Sequence, residues 1–213
     1  MALQLLDPEG RKPRPMQTLV GDLSIARGRV HEFCGPARRV LAAMLMGQTQ
    51  GPVIWISPGW QAERLFPDGL RDFAEPGRVI FAQARRPEEL LWAMEEALRS
   101  GAAPLVVADV LSPPGLTPVR RLQLATESGA EAARLARRPA PLGVMLTPGD
   151  GGAAGVESRW SLTPAPSVGP GLASEAPAVG WQLHCLRARM APPASWVLRR
   201  EGRGPVAVAP LVT

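Results

Sequence analysis

The segment Val30-His31-Glu32-Phe33-Cys34-Gly35-Pro36-Ala37-Arg38-Arg39-Val40-Leu41-Ala42 reads as a strand, a Gly-Pro turn and the start of a helix, which is the local plan of a phosphate-binding loop. Phosphoryl chemistry at such a loop needs a second glycine for close backbone approach, a lysine for the phosphates and a hydroxyl for magnesium, in the spacing G-x-x-x-x-G-K-[ST]. Counted from Gly35, those places hold Val40, Leu41 and Ala42. The single lysine of the chain, Lys12, lies far upstream. The scaffold is present and the phosphate chemistry is missing, so neither nucleotide hydrolysis nor ATP binding is expected.

Other groups with chemical potential carry two readings each. Leu105-Val106-Val107-Ala108-Asp109 ends an apolar run in a carboxylate, suited either to a metal or to capping the next turn. Arg38 and Arg39 suit either an anion at a helix N-terminus or a solvated helix face. His31 and His184 lie in strand-like runs without a carboxylate and nucleophile beside them, so structural roles are expected. Cys34 and Cys185 match no zinc or redox spacing, and Cys34 is expected to be a small buried hydrophobe. No metal site and no cofactor follow from these residues.

The elements that would position these groups alternate along the chain. Short β-branched and apolar runs at 30–34, 53–57, 78–82, 105–109 and 142–147 are separated by helical stretches, which predicts an α/β fold with a mainly parallel sheet flanked by helices. The clearest helix follows Arg85. Pro87 suits its first position, Glu88 and Glu89 face its positive end, and Leu90, Leu91, Met94, Ala97 and Leu98 form one stripe before Gly101. A second helix is predicted from Thr117-Pro118 toward Arg138, with Leu122, Ala125, Ala132, Ala133 and Leu135 as buried positions. Leu41, Met44, Leu45 and Met46 follow a helical period and are also assigned to the core.

Residues 1–18, with four prolines or glycines and no apolar period, are expected to be a flexible lead-in, and 19–213 a single domain. Past Pro148 the texture changes. Gly149-Asp150-Gly151-Gly152 opens a loop, 159–163 reads as a strand, and 164–180 is rich in Pro, Gly, Ala and Ser and is expected to be a long loop. Runs at 181–187, 196–200 and 206–209 leave no room for crossover helices, so an antiparallel meander at the sheet edge is expected. This β extension covers 158–210, beside a core at 20–150.

Several stretches in this order resemble RecA-type ATPases: residues 25–36 look like the entry to the nucleotide site, and Leu105–Asp109 and 142–147 like the strands that follow. More specifically, Arg120-Arg121-Leu122-Gln123-Leu124-Ala125, the 158–167 segment Ser-Arg-Trp-Ser-Leu-Thr-Pro-Ala-Pro-Ser, and Trp181–Arg189 with Ser195-Trp196 are similar to the ImuA/SulA group of bacterial RecA-like proteins, above all its ImuA branch. That resemblance implies a RecA-like fold with a degenerate nucleotide site at Gly35, Pro36, Arg38, Arg39 and Asp109. It also implies an accessory role in SOS-induced, error-prone translesion synthesis, with an ImuB-type Y-family polymerase-like protein as partner and RecA and an error-prone replicative-type polymerase as further contacts. Where a RecA ATPase offers a glutamate to activate water, this chain has Pro58-Gly59-Trp60-Gln61, and Glu63 comes several residues late. The alternatives are a divergent ATP- and DNA-binding RecA paralogue and a SulA-like inhibitor of cell division.

For the partner surface, Arg159-Trp160 is the one basic-aromatic pair near the loop where a RecA protein contacts DNA, and Arg187, Arg189, Trp196, Arg199 and Arg200 cluster on the closing strands. Trp and Arg are enriched in binding hot spots, and basic residues interleaved with aromatics suit single-stranded nucleic acid. A solvated strand face with one core tryptophan is the competing reading. The net charge of +5, from 24 Lys+Arg against 19 Asp+Glu, suits an anionic partner or reflects base composition. With 46% hydrophobic residues the chain can bury one sizeable core. It shows no leader segment and no apolar stretch near 18 residues, so a cytoplasmic protein without membrane contact is expected, associated with the nucleoid when DNA is damaged.

Overall fold

The computed structural model describes residues 15–165 and 178–211. Its centre is a nine-stranded sheet built from β3 (Val30–Cys34), β4 (Val53–Pro58), β5 (Val79–Ala84), β6 (Leu105–Asp109), β7 (Leu142–Leu146), β8 (Ser158–Ala165), β9 (Ala178–Ala188), β10 (Ala194–Glu201) and β11 (Ala207–Pro210). Their spatial order is β11-β10-β9-β8-β3-β7-β6-β4-β5. Strands β8 to β5 in that order run parallel, and β9, β10 and β11 are antiparallel. A parallel sheet with an antiparallel extension is the architecture that the alternating runs predict.

Both faces of the central parallel strands β3, β7 and β6 are covered, which is why the runs of β6 and β7 are almost wholly apolar. Leu105 and Val107 point into one core with Phe33, Leu41, Leu45 and Trp55, beneath helix α1 (Arg38–Gly47). Val106 and Ala108 point the opposite way, into a second core with Val30, Leu90, Met94, Leu98 and Leu122. This second core lies under helices α3 (Pro87–Ser100) and α4 (Leu116–Leu135); a short helix α2 (Pro67–Leu70) precedes them. The antiparallel strands turn Trp181, Leu183, Cys185 and Leu198 into the first core.

α3 begins at Pro87 and ends at Gly101, which takes a left-handed conformation, φ 60°. α4 crosses it at Gly129, where a β-carbon would stand 1.9 Å from the Leu98 carbonyl oxygen. That approach sets the phase of α4, whose buried face is Val119, Leu122, Ala125, Thr126, Gly129 and Ala133. Two sequence assignments fail here: Ala132 is exposed, and Leu135 is 71% exposed.

The lead-in expected at 1–18 is also corrected in part. Met16–Val20 forms strand β1, paired antiparallel with β2 (Leu23–Ala26), and Leu19 and Ile25 of this hairpin are buried in the first core. Residues 1–14 lie outside the described part. The strand predicted at 78–82 starts one residue later and extends to Ala84, because Arg78 ends a short 3-10 turn, Pro76–Arg78. Of the loop expected at 164–180, Pro164 and Ala165 belong to β8 and 178–180 to β9; 166–177 lie outside the described residues.

Candidate functional site

The turn between β3 and α1 lies at the carboxyl end of the parallel strands, where open α/β sheets place ligands. Gly35 adopts φ 83°, and a β-carbon there would meet the Leu162 carbonyl oxygen at 2.7 Å and Ser161 Oγ at 2.8 Å. Its amide donates to the Gly149 carbonyl at 2.8 Å, and the Ala37 amide donates to the Leu162 carbonyl at 3.0 Å. Amides that a phosphate loop would present to a ligand are here turned to carbonyls of β8 and the 149 loop. Leu41 and Ala42, at the lysine and hydroxyl places, are fully buried.

Arg38, Arg39 and Asp109 are brought together at this turn. Arg39 Nε donates to Asp109 Oδ2 at 2.8 Å, its Nη2 lies 2.6 Å from the same oxygen, and its Nη1 reaches Glu63 Oε2 at 3.1 Å. Arg38 Nη2 stands 4.0 Å from Asp109 Oδ1, and its Nη1 donates to the Gly35 carbonyl at 3.4 Å. Neither arginine is a solvated side chain, and the Asp109 carboxylate, 7% exposed, is gripped by Arg39 instead of capping the next turn. Burial alone would pull the Arg39 pKa down; the hydrogen bond and charge of Asp109, then those of Glu63, overcome it and raise it. The guanidinium thus supplies the positive charge that neutralises the Asp109 carboxylate. Among the described residues, no three His, Cys, Asp or Glu side chains gather as a metal site.

A second polar centre is built around Glu32, which was not among the sequence-derived site residues. Glu32, in the middle of β3, is fully buried. It accepts from Thr147 Oγ1 at 2.7 Å, the Gly152 amide at 2.9 Å, the Ala153 amide at 3.1 Å and Arg159 Nε at 2.5 Å. Arg159 also donates to the Ala153 carbonyl at 2.9 Å. A buried carboxylate persists only when paired and hydrogen-bonded, and this one fastens the loop after β7 to the sheet. Arg159 is therefore a structural partner of Glu32. The one sequence signal was an acid in the middle of a central strand.

Trp160 is likewise withdrawn from any binding face. It is 5% exposed, its ring lies 5.8 Å from that of Trp196, and its Nε1 donates to Ser158 Oγ at 2.7 Å. Ser158 in turn donates to His31 Nδ1 at 2.7 Å, leaving Nε2–H to donate to the Ala26 carbonyl at 2.9 Å. Burial chiefly lowers the His31 pKa to about 4, with Arg29 adding to it and the Ala26 hydrogen bond opposing. Cys34 is buried as expected, and burial followed by the Glu32 charge pushes its thiol up to about 11. His184 bonds Ser195 Oγ at 2.8 Å.

The C-terminal arginine cluster divides. Arg200 is 7% exposed, donates to the Asp72 carbonyl at 3.0 Å, and sits 4.3 Å over the Phe73 ring, a packed cation–π contact. Arg199, its neighbour in sequence, is exposed. Arg187 and Arg189 are exposed as well and, with Arg29, Arg120, Glu127 and Glu157, line a groove of about 310 Å³ between α4 and the start of β8. Arg29 bridges Glu127 and Glu157 at 2.5 and 3.6 Å, and Arg189 lies 4.0 Å from Glu157. Arg29 and Arg120 were absent from the sequence-derived set, since only the fold brings them beside Arg187.

Fold and site define an α/β protein with a mainly parallel sheet whose strand–glycine–helix turn encloses an arginine–carboxylate cluster. No family model and no curated protein matches the chain. Among solved structures, the crystal structure of SulA from Pseudomonas aeruginosa aligns with a TM-score of 0.43 and 19% identity, over 56% of this chain and 98% of that one, a likeness too distant to bear on function. No described helix is long and apolar enough to cross a membrane.

Proposed function

We propose that the chain is a RecA-like protein that has given up nucleotide chemistry and acts as a non-catalytic adaptor in SOS-induced, error-prone translesion synthesis, engaging an ImuB-type Y-family polymerase-like partner. The observation that carries the non-catalytic part is the Arg39–Asp109 pair, 2.6 Å at its shortest, together with a turn whose amides are engaged by the chain's own carbonyls. Phosphoryl transfer depends on positioned charge at the phosphates, the metal and the attacking water. At this turn the lysine and hydroxyl places are apolar core, and the carboxylates of Asp109 and Glu63 are both bound to Arg39. The translesion assignment rests on the resemblance of 120–125, 158–167 and 181–189 to ImuA-type proteins. Exposed Arg187, Arg189 and Arg199 supply the positive surface for the partner, or for DNA held by it.

The test is a pull-down of the purified chain with an ImuB-type homologue from the same cells, with and without ATP, and with Arg187, Arg189 and Arg199 changed to alanine. Binding that ignores ATP and weakens in the triple variant is the expected result. Absence of binding overturns the adaptor reading; saturable ATP binding would then favour a divergent RecA paralogue, and its absence a cell-division target.

A further inference from the structure

The sheet ends at β5, an edge with which no other described strand pairs. Its six residues, Val-Ile-Phe-Ala-Gln-Ala, carry no charge and no proline, and pair with β4 in unbroken parallel register from Val53↔Val79 to Pro58↔Ala84. Edge strands are normally protected by charges, prolines, bulges or short length, because their free amides and carbonyls template further pairing. This strand has none of those devices. Ile80 is 56% exposed and Phe81 47% exposed, and as successive residues they stand on opposite faces of the strand, so apolar surface flanks the open backbone on both sides. The opposite end of the sheet contrasts with this, since the edge strand β11 has only four residues.

The carboxyl end of β5 adds a direction. The Gly59 amide donates to the Ala84 carbonyl at 2.8 Å, which folds the Trp60 turn against the strand end. Gly59, Trp60, Gln83, Ala84 and Arg85 line a recess of about 470 Å³ there. Trp60 is 46% exposed. The Arg85 side chain is exposed and, among the described residues, no carboxylate lies within ion-pair distance of it; the adjacent Glu89 carboxylate is taken by the Arg85 amide and the Arg86 guanidinium. An exposed indole beside an unpaired guanidinium is the composition of a binding hot spot.

From this juxtaposition we propose that β5 is a docking edge for an extended segment of another protein, which adds as an antiparallel strand and brings an acidic residue to Arg85 and an apolar one to Trp60. Main-chain hydrogen bonds would supply affinity, and the Trp60–Arg85 recess specificity. A second copy of this chain is the poorer occupant. Two β5 strands related by a two-fold axis would oppose the Arg78 end of one to the Arg85 end of the other, and among the described residues Arg78 is tied to the carbonyls of Gly51 and Met46 and the Thr49 hydroxyl and to no carboxylate. Like charges facing each other across a strand pair disfavour that pairing.

The experiment uses the full chain and short fluorescein-labelled peptides of alternating valine and threonine, with two aspartates, two asparagines or two lysines at the amino-terminal end that an antiparallel strand brings to Arg85. Fluorescence anisotropy should rank aspartate above asparagine above lysine, with at least about tenfold between the extremes, equivalent to about 1.4 kcal/mol. Arg85→Glu should invert the ranking, and Ile80→Glu should abolish binding of every peptide while the circular dichroism spectrum stays unchanged. A peptide N-methylated at alternate amides along its pairing edge should not bind. Failure of all peptides to bind the wild-type chain overturns the proposal, as does a ranking that Arg85→Glu leaves unchanged. Sedimentation showing a dimer that Ile80→Glu dissociates would overturn it too, because the edge would then belong to a second copy.

Discussion

Arg39 reaches across from the first turn of α1 to the last residue of β6 and holds the Asp109 carboxylate at 2.6–2.8 Å. The pair joins a helix to a strand that does not neighbour β3, since β7 lies between them. It therefore braces the carboxyl ends of three strands while filling the space in front of the turn. Removing one partner of such a pair strands the other charge, whereas replacing both with apolar groups can be almost neutral. Arg39→Ala is expected to lower unfolding stability by about 3 kcal/mol, and Arg39→Met with Asp109→Leu by about 1 kcal/mol or less, as read by urea denaturation.

The same geometry predicts that the phosphate loop cannot be restored by rewriting its consensus. Leu41 has no exposed surface, so Leu41→Lys places an ammonium in the first core beside Leu45 and Trp55. The triple change Val40→Gly, Leu41→Lys and Ala42→Ser should unfold the chain or leave it several degrees less stable, on the order of 3 kcal/mol or more, and should show no ATP binding by calorimetry. Gain of saturable ATP binding by a folded triple variant would show that Arg39 and the β8 carbonyls do not close the turn.

Glu32 is the anchor of the loop that follows β7. Glu32→Ala leaves the Gly152 and Ala153 amides without their acceptor and Arg159 without its counter-charge. A loss of about 3–5 kcal/mol is expected for breaking a buried pair, and hydrogen exchange should accelerate first at Gly152 and Ala153. The double variant Glu32→Leu with Arg159→Met should recover part of the stability without recovering protection in the loop.

Much of the fold was legible because it depends on local pattern. Val30–Cys34 and Leu105–Asp109 are strands to the residue, since apolar runs between turn residues mark strands buried on both faces. Pro87 and Gly101 bracket α3 because each acts on its own backbone. What stayed hidden depends on partners distant in sequence. Glu32 meets Thr147, Gly152 and Arg159, all more than a hundred residues away, and no local rule names them. Arg199 and Arg200 look alike in sequence, and only the phase of β10, fixed by burying Leu198, sends one to solvent and the other over Phe73. The face of α4 was misjudged toward Leu135 because its packing stripe runs through Gly129 and Thr126, which an apolar count passes over.

His31 predicts a pH dependence with a definite sign. Its folded pKa, about 4, lies below the ordinary value near 6.5, so between those two pH values the unfolded chain binds a proton that the native chain refuses. Stability from this group is complete above about pH 6.5, falls as pH is lowered, and is exhausted below about pH 4. The shift corresponds to about 3 kcal/mol. Urea midpoints measured from pH 7.5 to pH 4 should decline for the wild type and decline less for His31→Gln. An equal slope in both would show that other groups carry the acid sensitivity.

Gly129 offers a contrast between two glycines. In a helix interior, alanine normally exceeds glycine in stability by about 1 kcal/mol. At Gly129 the added methyl would stand 1.9 Å from the Leu98 carbonyl oxygen and 3.1 Å from Pro141 Cγ, so α4 would have to move off α3 and open the second core. Gly115, just before α4, has φ −70° and nothing within 4 Å of a β-carbon. Gly129→Ala is expected to destabilise by about 2 kcal/mol or more, in the range of an overpacked core, and Gly115→Ala, at the N-cap of α4, by about 1 kcal/mol or less. Thermal melts of the two variants side by side separate the steric cost from helix propensity: if Gly129→Ala melts at or above the wild type, the helices do not approach through that glycine.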